Sequence, residues 1–197
     1  MLQQRGCLFH FAQCIWRRIQ SDPDLLEKCQ DSNEPDFLMK LRQVVALAYV
    51  PSSDVQCAFE HLVKTEFFQT NNEVLQDFLD YFEQTWTGRH LYDGSGRRPP
   101  KFCIELWNCY SAVKVGLPRT NNHVEGWHRR FSGLVNCHHP SIWTFIDKTK
   151  EEQVRNNIAI QHFFVGEGGN PPRRKYRELA ERIVTIVREY EERTLDD

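Results

Sequence analysis

One segment gathers residue types that could do chemistry. Over Arg119–Val135, RTNNHVEGWHRRFSGLV, a single carboxylate, Glu125, lies among asparagines, histidines and arginines. On a helix, Asn121, Glu125, His128, Arg129 and Ser132 share one polar face. Val124, Trp127, Phe131 and Leu134 fall at i, i+3, i+7 and i+10, an inward stripe. A carboxylate near a helix N-terminus is kept ionised by the helix dipole and by neighbouring cations. Such a group can bind a hard divalent cation or anchor an arginine. The plainer reading is an amphipathic helix with a capped N-terminus and an i, i+4 Glu125–Arg129 ion pair. Helices of that kind are common enough that geometry alone favours the plainer reading.

A second spacing stands at the start of the chain. Cys7-x2-His10 is half of a zinc site. Cys137-His138-His139 could supply the other half, although adjacent ligands reach one ion with poor geometry. A buried cysteine and a hydrogen-bonded histidine at a strand-to-helix junction is the favoured alternative. There is no Gly-rich phosphate loop, no nucleophile-elbow serine and no HExxH helix.

The elements that must position these residues read as helices. Phe11, Ile15, Trp16 and Ile19 repeat at helical spacing up to a stop at Ser21-Asp22-Pro23. Pro35 suits the first turn of a helix carrying Phe37, Leu38, Leu41, Val44, Val45 and Ala48. Another helix opens at Pro51-Ser52-Ser53 and places Val55, Phe59, Leu62 and Val63 on one face. Asn71 or Asn72 can cap a third, with Val74, Leu75, Phe78, Leu79 and Phe82, which Gly88 ends. Residues 88–103 are the clearest loop, and a short helix around Ile104 to Val113 ends at Gly116 and Pro118. Thr120 opens a helix to about Asn136, and Pro140-Ser141 start a long one through Ile142, Phe145, Ile146, Val154 and Ile158. After a loop at Gly166 to Pro172, a last helix from about Arg173 to Glu192 turns Tyr176, Leu179, Ile183, Ile186 and Val187 inward. Only Cys7-Leu8-Phe9 suggests a strand. The expected class is mainly α.

Composition bounds the function. The 197 residues are 40% hydrophobic and 26% charged, with 13 Phe, 5 Trp and 6 Tyr, too aromatic for a disordered chain. No apolar run reaches the roughly 18 residues of a membrane span, so no membrane role is expected. The first residues hold no stretch suited to a signal peptide, and seven unpatterned Cys argue for reduced thiols inside the cell. The net charge of −2 conceals a split. Residues 52–93 hold two bases against eight acids, whereas residues 94–175 hold thirteen bases against six acids. The basic part is the one expected to face a polyanion.

Thr120-Asn121-Asn122-His123-Val124-Glu125 resembles the TNNxxE signature of Mutator-like (MULE) transposases, members of the DDE, ribonuclease H-like superfamily. Gly126-Trp127-His128-Arg129-Arg130-Phe131 continues it in the style of the animal members. Cys7-Leu8-Phe9-His10-Phe11 resembles the family's C-x2-H motif, and the two motifs occur in the family's order around a helical spacer. The resemblance implies the C-terminal part of a transposase core with the catalytic-Glu helix and an all-α insertion domain, most of the core sheet being missing. Four segments follow from it. Residues 1–20 are a core remnant with C-x2-H, 21–116 the insertion, 117–165 the catalytic-Glu helix and a following core helix, and 166–197 a C-terminal helix.

In the family, two Asp and one Glu hold divalent cations, Mg or Mn, that drive displacement at a phosphodiester. Glu125 is then the third acid and a metal ligand. Arg119, Asn121, Asn122, His128, Arg129 and Arg130 become residues that order the acid or touch DNA phosphate. Only six residues precede Cys7 and none is acidic, so both Asp are absent. The expectation is a transposase fragment that is inactive alone and holds no metal tightly. The alternative is a transposase-derived module that binds nucleic acid or protein without catalysis. Nuclear location follows from the resemblance alone. Without its sheet, the Val124–Trp127–Phe131 stripe needs cover from the insertion helices or a second chain, and self-association is expected.

Overall fold

The computed structural model describes residues 5–91, 96–167 and 173–195, with side chains described as far as residue 190. The chain is mainly helical, and its one sheet among the described residues is a two-residue hairpin. It divides into two compact units, residues 1–120 with 183–197, and residues 121–182. These units cut across the four segments drawn from the sequence.

The larger unit begins with α1 (Leu8–Gln20), which buries Phe11, Ile15 and Ile19 at i, i+4 and i+8. The strand expected at Cys7–Phe9 is not formed. Only Cys7 is extended, as the N-cap of α1, and helix begins at Leu8. Gly6 N–H instead donates to the Leu106 carbonyl (2.6 Å), tying the approach to α1 to another helix.

Asp22-Pro23, read from sequence as a stop, also starts α2 (Pro23–Gln30). The Asp22 carboxylate accepts from Leu25 N–H at 3.1 Å, and Pro23 occupies the first helical position. The helix expected through 37–48 is divided into α3 (Phe37–Leu41), α4 (Gln43–Ala46) and a 3₁₀ turn (Leu47–Tyr49). Buried Leu41, Val44 and Leu47 are three apart, a spacing that tightened turns keep on one face and a straight α-helix rotates away. Pro35 lies before this run, not in its first turn.

The helices α5 (Val55–Val63), α6 (Glu66–Thr70) and α7 (Asn72–Phe82) follow. A π turn (Glu83–Thr87) then ends at Gly88, whose φ is +87°. A Cβ at Gly88 would stand 2.5 Å from the Arg98 carbonyl, so only glycine fits. That close approach belongs to β1 (Arg89–His90) and β2 (Arg97–Arg98), antiparallel with Arg89 opposite Arg98. The loop expected over 88–103 therefore contains a short hairpin. The helix expected over 104–113 is two short ones, α8 (Ile104–Trp107) and α9 (Tyr110–Lys114).

The core of this unit is aromatic. Phe11 stacks on Trp107 (4.6 Å, 11°) and meets the edge of Trp86 (4.9 Å), while Phe59 stacks on Phe82 (5.2 Å). Tyr110 and Val113 pack with Val187, in the C-terminal half of α12 (Arg174–Leu195). Tyr190 O–H donates to Asp54 Oδ2 at 3.2 Å. Of the five residues expected inward on that last helix, Val187 is buried and Ile183 half-buried, but Tyr176, Leu179 and Ile186 are exposed.

The smaller unit holds α10 (Asn122–Val135), α11 (Ile142–Phe164) and the first turns of α12. Asn136 ends α10 in the left-handed conformation (φ 51°, ψ 28°). Ser141 caps α11, its Oγ accepting from Thr144 N–H at 3.1 Å. Glu152 is the one buried residue among the described residues of this unit.

Candidate functional site

Helix α10 presents the acid of the TNNxxE stretch. Asn121 is its N-cap by position, and Glu125 N–H donates to the Asn121 carbonyl at 2.9 Å. Glu125 is therefore in the first turn, where the dipole favours a carboxylate, and it is exposed together with Asn122 and His123. His128 and Arg129 are exposed and on the same face of the helix. The His128 ring meets the edge of Trp127 (5.0 Å, 71°), and Trp127 stacks on Phe131 (5.1 Å, 8°). These contacts tie the imidazole to the apolar side of α10.

The two arginines of the motif have separate fates. Arg130 donates to Glu152 Oε1 on α11 at 2.7 Å, and Glu152 is only 3% exposed. Its Oε2 is buried without a hydrogen-bond partner among the described residues. A buried carboxylate needs its counter-ion, so Arg130 is committed to the fold. Arg129 makes no hydrogen bond or ion pair among the described residues, and the expected Glu125–Arg129 pair is not formed. Its guanidinium is the one in the motif left to meet an anion.

The stripe on α10 is less buried than its pattern suggests. Trp127, Phe131 and Leu134 are half-buried and Val124 is exposed. Phe131 meets Phe145 of α11 edge-on at 6.0 Å, so the neighbouring helix supplies the cover.

The other sequence candidates lie in the larger unit. Arg119 donates from Nη1 to the Tyr49 hydroxyl at 3.0 Å, its guanidinium is 5.9 Å from that ring, and its carbonyl accepts from Leu8 N–H at 3.0 Å. Burial pushes the Tyr49 hydroxyl up, with Arg119 opposing the shift. Arg119 thus fastens the start of α1 to the 3₁₀ turn. Cys7 is half-buried and His10 exposed, its ring edge-on to Phe9 at 5.5 Å. Cys7 and His10 belong to the larger unit, whereas Asn121 to Arg130, Glu125 included, belong to the smaller.

Two features were not singled out from the sequence. Glu152 carries one available signal: it follows Phe145 by two turns of α11, an acid in an inward row. In the larger unit, Glu60 Oε1 accepts from Arg97 and His90, and Arg97 also reaches Glu83 (3.5 Å) and the Gly88 carbonyl. Arg97 and then His90 hold the Glu60 carboxyl below its usual range. Nothing local in the sequence announces that pairing. A groove of about 650 Å³ also runs along α1, lined by Leu8, Phe9, Trp16, Val45, Ala46 and Tyr49 among others.

A two-metal phosphotransfer site requires several carboxylates around one point. No group of three or more His, Cys, Asp or Glu able to hold a metal forms among the described residues, so they do not fit a divalent pair at Glu125. No helix is long and apolar enough to cross a membrane. No protein-family model, curated protein or solved structure matches the chain.

Proposed function

We propose that the chain is part of a DDE-type transposase, with α10 as the helix of the third catalytic acid, and that it handles the DNA backbone without cleaving DNA as these 197 residues alone. The observation that carries this reading is the placement of Glu125. It stands exposed in the first turn of a helix, on one face with exposed His128 and Arg129, within the TNNxxE stretch. Magnesium or manganese and a nuclear location belong to the same proposal. Two further acids, which the resemblance puts on strands upstream of Cys7, would complete the metal site.

Contacts of Arg129, Asn122 and His128 with phosphate would give affinity without sequence reading. The test is a salt titration of binding to duplex DNA. Wild type should bind at low salt and weaken steeply as salt rises. Arg129→Ala should lower affinity several-fold and reduce the salt slope by about one. Absence of binding at low salt sinks the reading. Metal-dependent nicking that Glu125→Gln abolishes would instead show that the 197 residues are catalytic.

The α1 groove favours a second reading, a binding module without catalysis. Its predominantly apolar lining suits a protein segment better than phosphate. Unchanged DNA binding after Phe9→Ala, with loss of a protein partner, would separate the two.

A further inference from the structure

One wall of the groove in the larger unit is α1 itself. Leu8, Ala12, Ile15 and Ile19 follow one another at intervals of four, three and four, a single row on one face of the helix. From Leu8 to Ile19 the helix rises roughly 17 Å, about three turns. Ile15 and Ile19 are buried and form the floor, whereas Phe9 is 52% exposed and stands at the rim with half-buried Trp16.

The other wall is Arg42, Val45, Ala46 and Tyr49, at intervals of three, one and three, from the start of α4 through the 3₁₀ turn. Leu8 N–H donates to the Arg119 carbonyl and Arg119 donates to the Tyr49 hydroxyl, so Leu8 and Tyr49 share one end of the groove. Arg42 precedes Tyr49 by seven residues, toward the opposite end. It is the one charged residue of the described lining and is exposed. Its guanidinium makes no hydrogen bond or ion pair among the described residues.

We propose that this groove seats an amphipathic helix of a partner protein, about three turns long, with apolar side chains at i, i+4 and i+7 between the two walls and an Asp or Glu against Arg42. The proposal rests on the binding-module reading and names what the module takes. Two rows of helical side chains make a trough into which the ridge of a third helix packs. Ala12 and Ala46 stand midway along their rows, and small side chains there admit the bound helix to the short end of the ~8–10 Å range of helix spacings. An extended segment would find no backbone partners, because both walls are helical and their N–H and C=O groups are paired within the turns. DNA would meet a single base. A flat bilayer surface cannot reach the buried floor. An acid on the incoming helix fixes its direction in the groove, and the unpaired guanidinium rejects a base at the same place.

The test is selection from a displayed library of randomised peptides of about 14 residues, nearly four helical turns, on the full chain. Enriched peptides, made synthetically, should carry apolar residues at i, i+4 and i+7 with an acid at one end, and should gain helical circular dichroism on binding. Ala46→Trp, which fills the trough from an exposed position, should abolish binding. Phe9→Ala should weaken it roughly tenfold, as loss of an aromatic anchor does. Selection repeated on Arg42→Glu should enrich Lys or Arg in place of the acid, a switch that misfolding cannot produce. Peptides that bind the groove in an extended form, or whose charge preference ignores Arg42→Glu, overturn the inference and leave the binding-module reading standing. If no enriched peptide is rejected by Ala46→Trp, both fail. A dimer of the chain itself that Ala46→Trp abolishes would give the groove to a second copy and also overturns the inference.

Discussion

Arg130 and Glu152 illustrate how a residue that looks suited to phosphate can belong to the fold. The guanidinium is largely exposed, but its partner carboxylate is buried and has one oxygen without another donor. Arg130→Ala leaves that charge uncompensated, and urea unfolding should show a loss of about 2–3 kcal/mol, below the cost of breaking a fully buried pair because the arginine remains wet. Replacing both residues with Met should recover most of the loss, since an apolar pair strands no charge. Arg129→Ala, whose side chain has no hydrogen-bond or ion-pair partner among the described residues, should change stability by less than about 0.5 kcal/mol. A DNA-binding defect is therefore interpretable for Arg129 and confounded for Arg130. Burial also governs the cysteines. The Cys109 thiol is pushed up to about 11, while Cys57, Cys103 and Cys137 are exposed. At pH 8 a thiol reagent should label those three first and reach Cys109 only on unfolding. Since the folded thiol keeps its proton above the ordinary value of 9.0, the stability it supports is complete below pH 9 and declines as pH rises toward 11.

At the scale of elements, caps and breaks decide where the helices run. Ser141 supplies the one side-chain cap at the start of α11, and Ser141→Ala should cost about 1 kcal/mol in urea unfolding of the smaller unit. Long periodic helices were legible in the sequence. The helix around Phe11 to Ile19, the one through Leu75 and Phe82, and the pair on either side of Asn136 were read from spacing and caps. Short elements were not. Helix α2 has only Leu25 buried, too little for a period, although Asp22-Pro23 was a readable start. The division at Arg42 depends on which face the core occupies, which local propensity does not encode. Strands β1 and β2 depend on contacts of Arg97 with residues 37 and 14 positions away. The candidate site was legible in part for the same reason. TNNxxE placed Glu125 in a first turn, but the capture of Arg130 by Glu152 is a tertiary event between helices.

Across the whole molecule, the two units differ in how much apolar surface they bury. The larger has a continuous aromatic core around Phe11, Phe82, Trp86 and Trp107. The smaller buries no apolar side chain among its described residues, only Glu152. Hydrophobic burial is the main favourable term in folding, so the smaller unit should open first. Hydrogen exchange should show α10 and α11 exchanging well before α1 and α7. Trp16, Trp86 and Trp107 lie in one unit and Trp127 and Trp143 in the other. A Trp127→Phe/Trp143→Phe chain therefore reports the larger unit alone, and its fluorescence transition should come later in urea than the loss of helix signal.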